Sequence, residues 1–190
     1  FKIIKKNSIK FPKKIALVIE SKEYTYKNFY LLILQTIKNL KKNNFNRSST
    51  VIIVEDNTLS HILSIFSLSY LQATIVPTGT YYSNDHLIEI AKITSANSII
   101  SGKYHCNIFK KKHKIKNFLC TERSKNFSYF YEEENYNLTL SNNKINEKNF
   151  IITMSSGSTA KPKPIVFSQK TKIIRYNLFK DLYNIESKDN

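Results

Sequence analysis

The sequence predicts an α/β fold in which a mostly parallel sheet carries crossover helices. Short, continuous apolar runs recur at 51–54, 73–76 and 98–101. Between them lie stretches of about a dozen residues whose apolar positions follow helical spacing. Strands that alternate with helices form parallel sheets, and strands buried on both faces need no polar alternation. The two patterns therefore indicate the same architecture.

The chain begins with a predicted hairpin and helix. Ile15 to Glu20 has the composition of a strand, and Lys22 to Thr25 is its expected partner. Thr25 can cap a helix that begins at Tyr26 or Lys27 and continues to about Lys42. Its apolar face contains Phe29, Leu32, Ile33, Ile37 and Leu40.

Strands and helices alternate after a polar break at 43–49. The expected elements are, in order, a strand Val51 to Val54, a helix capped by Asn57 or Thr58, a strand Ala73 to Val76 that stops at Pro77, a helix capped by Ser83 or Asn84, and a strand Ser98 to Ser101. His61 is expected in the middle of its helix and His86 in the first turn of the next.

The stretch from Ile108 to Asn149 indicates a solvated connection with one short strand near Asn117 to Cys120. Its basic cluster, Lys110 to Lys114, is interpreted as a loop surface, and Glu132 to Glu134 as a charged loop. His105, Cys106, His113 and Cys120 match no zinc-site spacing, so we expect a loop with incidental ligand-type residues and no metal.

Composition restricts the class of protein. The 190 residues, 41% hydrophobic and 13% aromatic, are enough for one folded domain. No apolar run is long enough to span a membrane. Two cysteines form no disulfide framework, which indicates a reducing cytoplasm. The first residue is not Met and no secretory signal follows it, so we expect a fragment of a longer reading frame.

The net charge of +16 raises the possibility of nucleic-acid binding. Only three of the 30 basic residues are arginines, Arg47, Arg123 and Arg175, and the lysines are spread along the chain. Base and phosphate recognition favours arginine forks, so we expect no nucleic-acid partner. A basic nucleic-acid-binding module nevertheless stays open as an alternative.

The stretch that most strongly suggests a function follows an apolar run, Phe150 to Met154, interpreted as a buried strand. A second apolar run, Ile165 to Phe167, and a helix from about Gln169 to Tyr183 come after it. Between the runs lie small, hydroxylated and basic residues: Ser155, Ser156, Gly157, Ser158, Thr159, Lys161 and Lys163. Backbone N–H groups of a tight turn, hydroxyls and a lysine together suit a polyphosphate.

This loop does not match the Walker pattern, because it has one glycine and Pro164 follows Lys163. It resembles instead the phosphate loop of the adenylate-forming superfamily, Thr/Ser-Ser-Gly-Ser/Thr-Thr-Gly-x-Pro-Lys-Gly. Eight of the ten positions from Ser155 to Pro164 fit. The departures are Ala160 and Pro164, where the family usually has glycine.

Earlier segments resemble the same family in order and spacing, over roughly residues 10 to 180. The matching residues are Pro12, Ile15 to Val18, Tyr24 to Phe29, Asn57 and Gln72 to Pro77. Gln72 replaces a glycine that is usual in the family.

The resemblance implies that residues 1–190 are the opening portion of the large N-terminal domain of an adenylate-forming enzyme. Such enzymes use ATP and Mg²⁺ to convert a small carboxylic acid into an acyl-adenylate and pyrophosphate. Coenzyme A, or a phosphopantetheine on a carrier protein, then takes the acyl group as a thioester. No stable membrane insertion is expected.

By the same resemblance, six residues bind the ATP phosphates: Ser155, Ser156, Gly157, Ser158, Thr159 and Lys163. Lys161 stands at a variable family position. The family's catalytic lysine and lid lie beyond this chain, so the chain alone should be inactive. A non-catalytic nucleotide-binding remnant stays open as a second alternative, because Ala160 and Pro164 depart from the motif.

Overall fold

The structure, a computed structural model, describes residues 1–132, 149–155 and 163–183. Its helices are α1 (Lys2–Lys10), α2 (Tyr26–Lys42), α3 (Leu59–Leu71), α4 (Asn84–Ile93), α5 (Lys103–Lys112) and α6 (Gln169–Leu182). Its strands are β1 (Ile15–Ile19), β2 (Lys22–Thr25), β3 (Thr50–Val54), β4 (Thr74–Thr78), β5 (Ser98–Ser101), β6 (Asn117–Cys120), β7 (Ser128–Tyr129), β8 (Asn149–Ser155) and β9 (Lys163–Ser168).

Seven strands form one sheet in the order β7-β6-β5-β3-β4-β8-β9. All neighbours pair in parallel except β8 and β9, which are antiparallel. The chain moves from β3 to β4 on one side of β3 and then crosses back to β5 on the other side. The predicted α/β class with a mostly parallel sheet is therefore confirmed.

Apolar side chains cover both faces of the sheet. Ile33 and Ile37 of α2 and Leu63 of α3 are buried in the cluster on one face. Leu87 of α4 and Phe109 of α5 are buried in the cluster on the other face. Burial on both sides explains why β3 is a continuous run of buried apolar residues from Val51 onward.

The predicted helix caps are confirmed for three helices. Thr25, Thr58 and Ser83 have extended backbones, and each side chain accepts a hydrogen bond from the backbone N–H three residues on. The hairpin of β1 and β2 is also confirmed. Ile19 pairs with Lys22 across a two-residue turn, in which Glu20 and Ser21 both have positive φ, 49° and 64°.

Several sequence-based expectations were wrong. The cluster of Lys110 to Lys112 forms the last turn of helix α5, not a loop, and His105 and Cys106 lie on the same helix. Its apolar signal is weak because only Cys106 and Phe109 are buried. Helix α1 was not predicted for a similar reason, since it buries Ser8 alone.

Boundaries and burial also differ from expectation. Strand β4 continues through Pro77 to Thr78, whose hydroxyl donates to the carbonyl of Ile53 at 2.8 Å. His61 lies in the first turn of α3, because Thr58 caps the helix directly before it. Strand β9 is not buried in this chain: Ile165 and Val166 are 43% and 48% exposed, because β9 is the last strand of the sheet.

Among the residues that the structure describes, every helix is too short or too polar to cross a bilayer.

Candidate functional site

The hairpin of β8 and β9 brings the two ends of the hydroxyl-rich segment together. Ser155 is the last residue of β8 and pairs with Lys163, the first residue of β9. The Ser155 hydroxyl donates to the Lys163 carbonyl at 3.3 Å. Of the predicted phosphate-binding residues, these two are described, whereas Ser156, Gly157, Ser158 and Thr159 lie outside the described residues, as does Lys161.

Pairing with β4 fixes where this hairpin ends. Strand β8 runs parallel to β4, with Ile151 opposite Ile75. Ser155 therefore lies at the edge of the sheet where the parallel strands have their carboxyl ends. Ligands of open α/β sheets bind at this edge, so the hairpin ends where a nucleotide site is expected.

Lys163 has an exposed side chain at the start of β9. The next residue, Pro164, pairs with Met154 within the antiparallel ladder. Because β9 is the outermost strand, a missing backbone N–H is tolerated there. Pro164 is thus compatible with the hairpin that holds Lys163 beside Ser155.

A second group of polar residues lies at the same edge, around Glu55 at the end of β3. One carboxylate oxygen accepts a hydrogen bond from Thr121 at 2.7 Å. The other accepts from Thr58 at 3.2 Å and from Ser60 at 3.0 Å. The carboxylate thereby joins the ends of β3 and β6 to the first turn of α3, whose N-terminal dipole favours a negative charge.

This carboxylate faces a cavity of about 500 Å³ beside the β1–β2 hairpin. The lining also includes Glu20, Lys22, Tyr24 and Tyr131. Burial raises the pKa of the Tyr131 hydroxyl above its ordinary value. The cavity is therefore lined by two carboxylates, Glu20 and Glu55, by one cation, Lys22, and by hydroxyl groups.

Asp56 and Thr80 join the ends of β3 and β4. The Thr80 hydroxyl donates to one carboxylate oxygen of Asp56 at 2.6 Å, and its backbone N–H donates to the other at 3.1 Å. These two hydrogen bonds hold the pKa of Asp56 below its usual range. Nearby, His105 is half-buried, and that burial lowers its pKa.

The two cysteines lie together behind this edge, both buried and free. Cys120 of β6 pairs with Ser101 of β5, and the Cys106 sulfur lies 3.4 Å from the Ser101 hydroxyl. The Cys106 thiol donates to the Ser101 carbonyl at 3.6 Å, and its contact with the Cys120 sulfur raises the pKa of Cys106 and lowers that of Cys120. His113 lies apart and contacts the Ala96 carbonyl at 3.1 Å. Within the described ranges no three His, Cys, Asp or Glu residues are placed to hold a metal ion.

Sequence reasoning did not single out Glu55, Asp56 or Thr121. The sequence held one weak indication of this site. Glu55 and Asp56 directly follow a buried strand, and the carboxyl ends of parallel strands are where ligands bind. No local pattern connects Glu55 to Thr121, which is 66 residues away. Only the neighbouring positions of β3, β5 and β6 in the sheet bring them together.

The described site places a hydroxyl, Ser155, and a lysine, Lys163, at the carboxyl edge of a mostly parallel α/β sheet, where open α/β sheets bind their ligands. The sequence profile of one family, described as AMP-binding enzyme, matches residues 4–188. The chain belongs to this family of adenylate-forming enzymes.

Three similar proteins illustrate the relationship. Zwittermicin A synthase ZmaJ of Bacillus cereus is 22% identical over 188 residues, which are 99% of this chain and 34% of that protein. A provisionally named long-chain-fatty-acid CoA ligase of Rhodopseudomonas palustris superposes with a TM-score of 0.83 at 14% identity, over 98% of this chain and 48% of that one. O-succinylbenzoate coenzyme A synthetase of Bacillus subtilis, solved with AMP, superposes with a TM-score of 0.82 at 12% identity, over 98% and 47%.

The chain thus spans between about a third and about half of the length of these relatives. At such low identities the structural matches show the fold alone.

Proposed function

We propose that this chain is the nucleotide-phosphate-binding part of an ATP-dependent enzyme that activates a carboxylic acid. The complete protein would join the acid to AMP as an acyl-adenylate, release pyrophosphate, and pass the acyl group to a thiol. Residues 1–190 would form the opening portion of its large N-terminal domain. The observation that carries the proposal is the pairing of Ser155 with Lys163 at the carboxyl edge of the sheet.

That pairing supports a specific role for the segment it encloses. In this proposal, backbone N–H groups of the enclosed segment, residues 156–162, would face the phosphates, as backbone N–H groups do in anion-binding loops. Ser155, Ser156, Ser158 and Thr159 would add hydroxyl donors beside Gly157. Lys163 would contribute a positive charge from the first position of β9.

The chemistry requires these groups because both reactants are anions. A carboxylate oxygen attacks the α-phosphorus of ATP, the bond to the β-phosphate oxygen breaks, and pyrophosphate leaves with that electron pair. Loop donors and Lys163 would hold the β- and γ-phosphates in line and reduce the repulsion. Mg²⁺, when bound with ATP, neutralises further phosphate charge. The carboxylates of Asp56 and Glu55 lie at the same edge of the sheet but are already hydrogen-bonded to Thr80 and to three hydroxyls, respectively.

The thiol acceptor is either coenzyme A or the phosphopantetheine of a carrier protein. The name of the Bacillus subtilis relative specifies coenzyme A for that protein. The chemistry of the acceptor step is the same in both cases, since a thiolate displaces AMP from the acyl carbon. Cytoplasmic location is part of the proposal, because both cysteines are free thiols.

The test is ATP–pyrophosphate exchange with the full-length product of the reading frame that contains this chain, using Lys163→Ala. Loss of one charge-assisted phosphate contact is expected to reduce exchange by about 10²-fold or more. Lys161→Ala is the matched control, since it removes the same charge two residues away at a variable family position. Equal losses in both variants, or undiminished exchange in Lys163→Ala, would refute the assigned role.

The non-catalytic remnant is a second candidate, and Ala160 is the observation that favours it. A loop that needs positive φ at residue 160 would be strained by a Cβ atom. This candidate predicts that the full-length product binds ATP but supports no exchange with any carboxylic acid. Ala160→Gly should then restore exchange if the strain is its cause.

A further inference from the structure

The first 14 residues form the most one-sidedly basic segment of the described structure. They contain six lysines, Lys2, Lys5, Lys6, Lys10, Lys13 and Lys14. The first carboxylate in the sequence is Glu20. None of the six lysines forms an ion pair with a described carboxylate. Their charge is therefore not neutralised by the described surface around them.

One side of α1 attaches this segment to the core. Phe1 packs against the aromatic rings of Tyr30 and Tyr70, with centroids 5.8 Å and 5.0 Å apart. Ile4 packs against the apolar cluster that α2 and α3 share. Ser8 is buried and donates to the Lys5 carbonyl at 2.8 Å. The helix is thus held by one face and cannot rotate freely.

The opposite side of α1 combines charge with exposed apolar groups. Ile3 is 67% exposed and Ile9 is 75% exposed. At about 100° per residue, both fall at the margins of an arc of about 120° that also contains Lys2, Lys6 and Lys10. We call these five residues the outer face of α1. Phe11, 44% exposed, lies directly beyond it, with the Lys10 ammonium 5.0 Å from its ring.

Exposed isoleucine side chains gain by leaving water, and isoleucines beside lysines suit the boundary of an anionic lipid bilayer. Lysine stems can extend toward the phosphates while apolar side chains enter the acyl region. A nucleic acid would also attract the lysines, but it would leave Ile3 and Ile9 without a partner. The outer face contains no arginine, which nucleic-acid sites favour.

We propose that the outer face of α1 docks this chain onto an anionic phospholipid surface. The helix lies parallel to the membrane, the lysines contact the lipid phosphates, and Ile3 and Ile9 enter the headgroup region. Such docking is interfacial and reversible, and it needs no membrane-spanning helix. It is also independent of the phosphate-binding role proposed for Ser155 and Lys163.

The absence of tryptophan from the chain allows a direct test. Ile9→Trp places a single fluorophore on the outer face, and Tyr104→Trp, at a 61% exposed position of α5, is the matched control. Vesicles of phosphatidylcholine with phosphatidylserine should shift the emission of Ile9→Trp to shorter wavelength. Vesicles of phosphatidylcholine alone should not, and Tyr104→Trp should not respond to either. Absence of a shift with anionic vesicles, or the same shift with neutral ones, overturns the proposal.

The contribution of charge is tested by vesicle sedimentation of the triple variant Lys2→Gln, Lys6→Gln, Lys10→Gln. Removing three lysines should weaken binding by about 100-fold, which is on the order of fivefold for each. The control removes the same charge elsewhere, by changing Lys110, Lys111 and Lys114 to Gln, and should change binding by less than a factor of about three. Equal losses would mean that net charge, not α1, attracts the lipid, and would overturn the proposal.

The apolar contribution is tested with Ile3→Ser plus Ile9→Ser, which keeps every charge. Both side chains are exposed, so far-ultraviolet circular dichroism should match that of the parent chain. Vesicle binding should fall by about 10-fold or more. If vesicle binding is unchanged while the lysine variant loses affinity for single-stranded RNA, the face is a nucleic-acid surface and the lipid proposal is wrong.

Discussion

Gln72 ends helix α3 in a conformation that its side chain disfavours. Its backbone is left-handed, with φ 59° and ψ 25°. At this position the family usually has glycine, which adopts that conformation without steric cost. We therefore predict that Gln72→Gly stabilises the protein.

Two opposing terms determine how much Gln72→Gly changes the free energy of unfolding. A left-handed backbone costs a residue with a Cβ about 1–2 kcal/mol. Glycine recovers that cost but loses about 0.5–1 kcal/mol more chain entropy on folding. The net gain lies between about 0 and about 1.5 kcal/mol, with a central value of about 0.75 kcal/mol. For a chain of this length the central value corresponds to a rise in Tm of about 1–4 °C.

The appropriate comparison is Gln72→Gly against Gln72→Ala, measured by urea and thermal unfolding. Gln72 has interactions of its own, and both variants remove equally those that its side chain makes. Their difference therefore isolates the backbone term. Asn44→Gly is the control, because Asn44 also has positive φ, 64°, but asparagine tolerates that region well. If Gln72→Gly is no more stable than Gln72→Ala, the strain argument is wrong.

Two further predictions concern titratable groups. Because the hydrogen bonds from Thr80 depress the pKa of Asp56, its stabilising contribution is full above the unfolded pKa of about 3.9 and is lost as the pH falls through the lower folded value. Asp56→Asn should therefore lose less Tm than the parent chain between about pH 6 and about pH 3. The same fall in Tm in both proteins would contradict this prediction. Cys106→Ala removes the thiol that lowers the pKa of Cys120, so the thiolate absorbance step of Cys120 should move to higher pH, and Cys120→Ala should abolish that step. A step that stays in place in Cys106→Ala would show that the thiol contact does not set the pKa of Cys120.

The sequence was sufficient where a local rule determined the structure. Caps at Thr25, Thr58 and Ser83 could be located because a hydroxyl before an apolar helical pattern has one favourable use. Helices α1 and α5 could not be predicted from the sequence, because each buries few residues and carries many lysines. These helices are stabilised by packing against the rest of the domain, and the spacing of apolar residues in the sequence does not reveal such packing.

Part of the candidate site could likewise be predicted from the sequence, and part of it could not. The hydroxyl-rich loop was found because its residues are consecutive, although most of them remain outside the described residues. The Glu55 cluster was not found, because Thr121 reaches it only through the order of strands in the sheet. Sequence order also does not reveal that β8, which follows β7 in the chain, lies beside β4.

The positions of Pro164 and Gln72 in the fold explain why these two departures from the family pattern differ in their effect on stability. Pro164 stands in β9, which has a neighbour on one side only, so the N–H it lacks removes little from the sheet. Gln72 stands where the chain must turn left-handed between α3 and β4, and no neighbouring strand can relieve that requirement. A substitution in an edge strand affects a backbone hydrogen bond that the sheet can lose. A substitution at this helix end changes which residue must adopt a left-handed backbone that the fold requires. We therefore expect Pro164→Gly to lower Tm slightly, because glycine adds conformational entropy to the unfolded chain, and Gln72→Gly to raise it, although both restore the family residue.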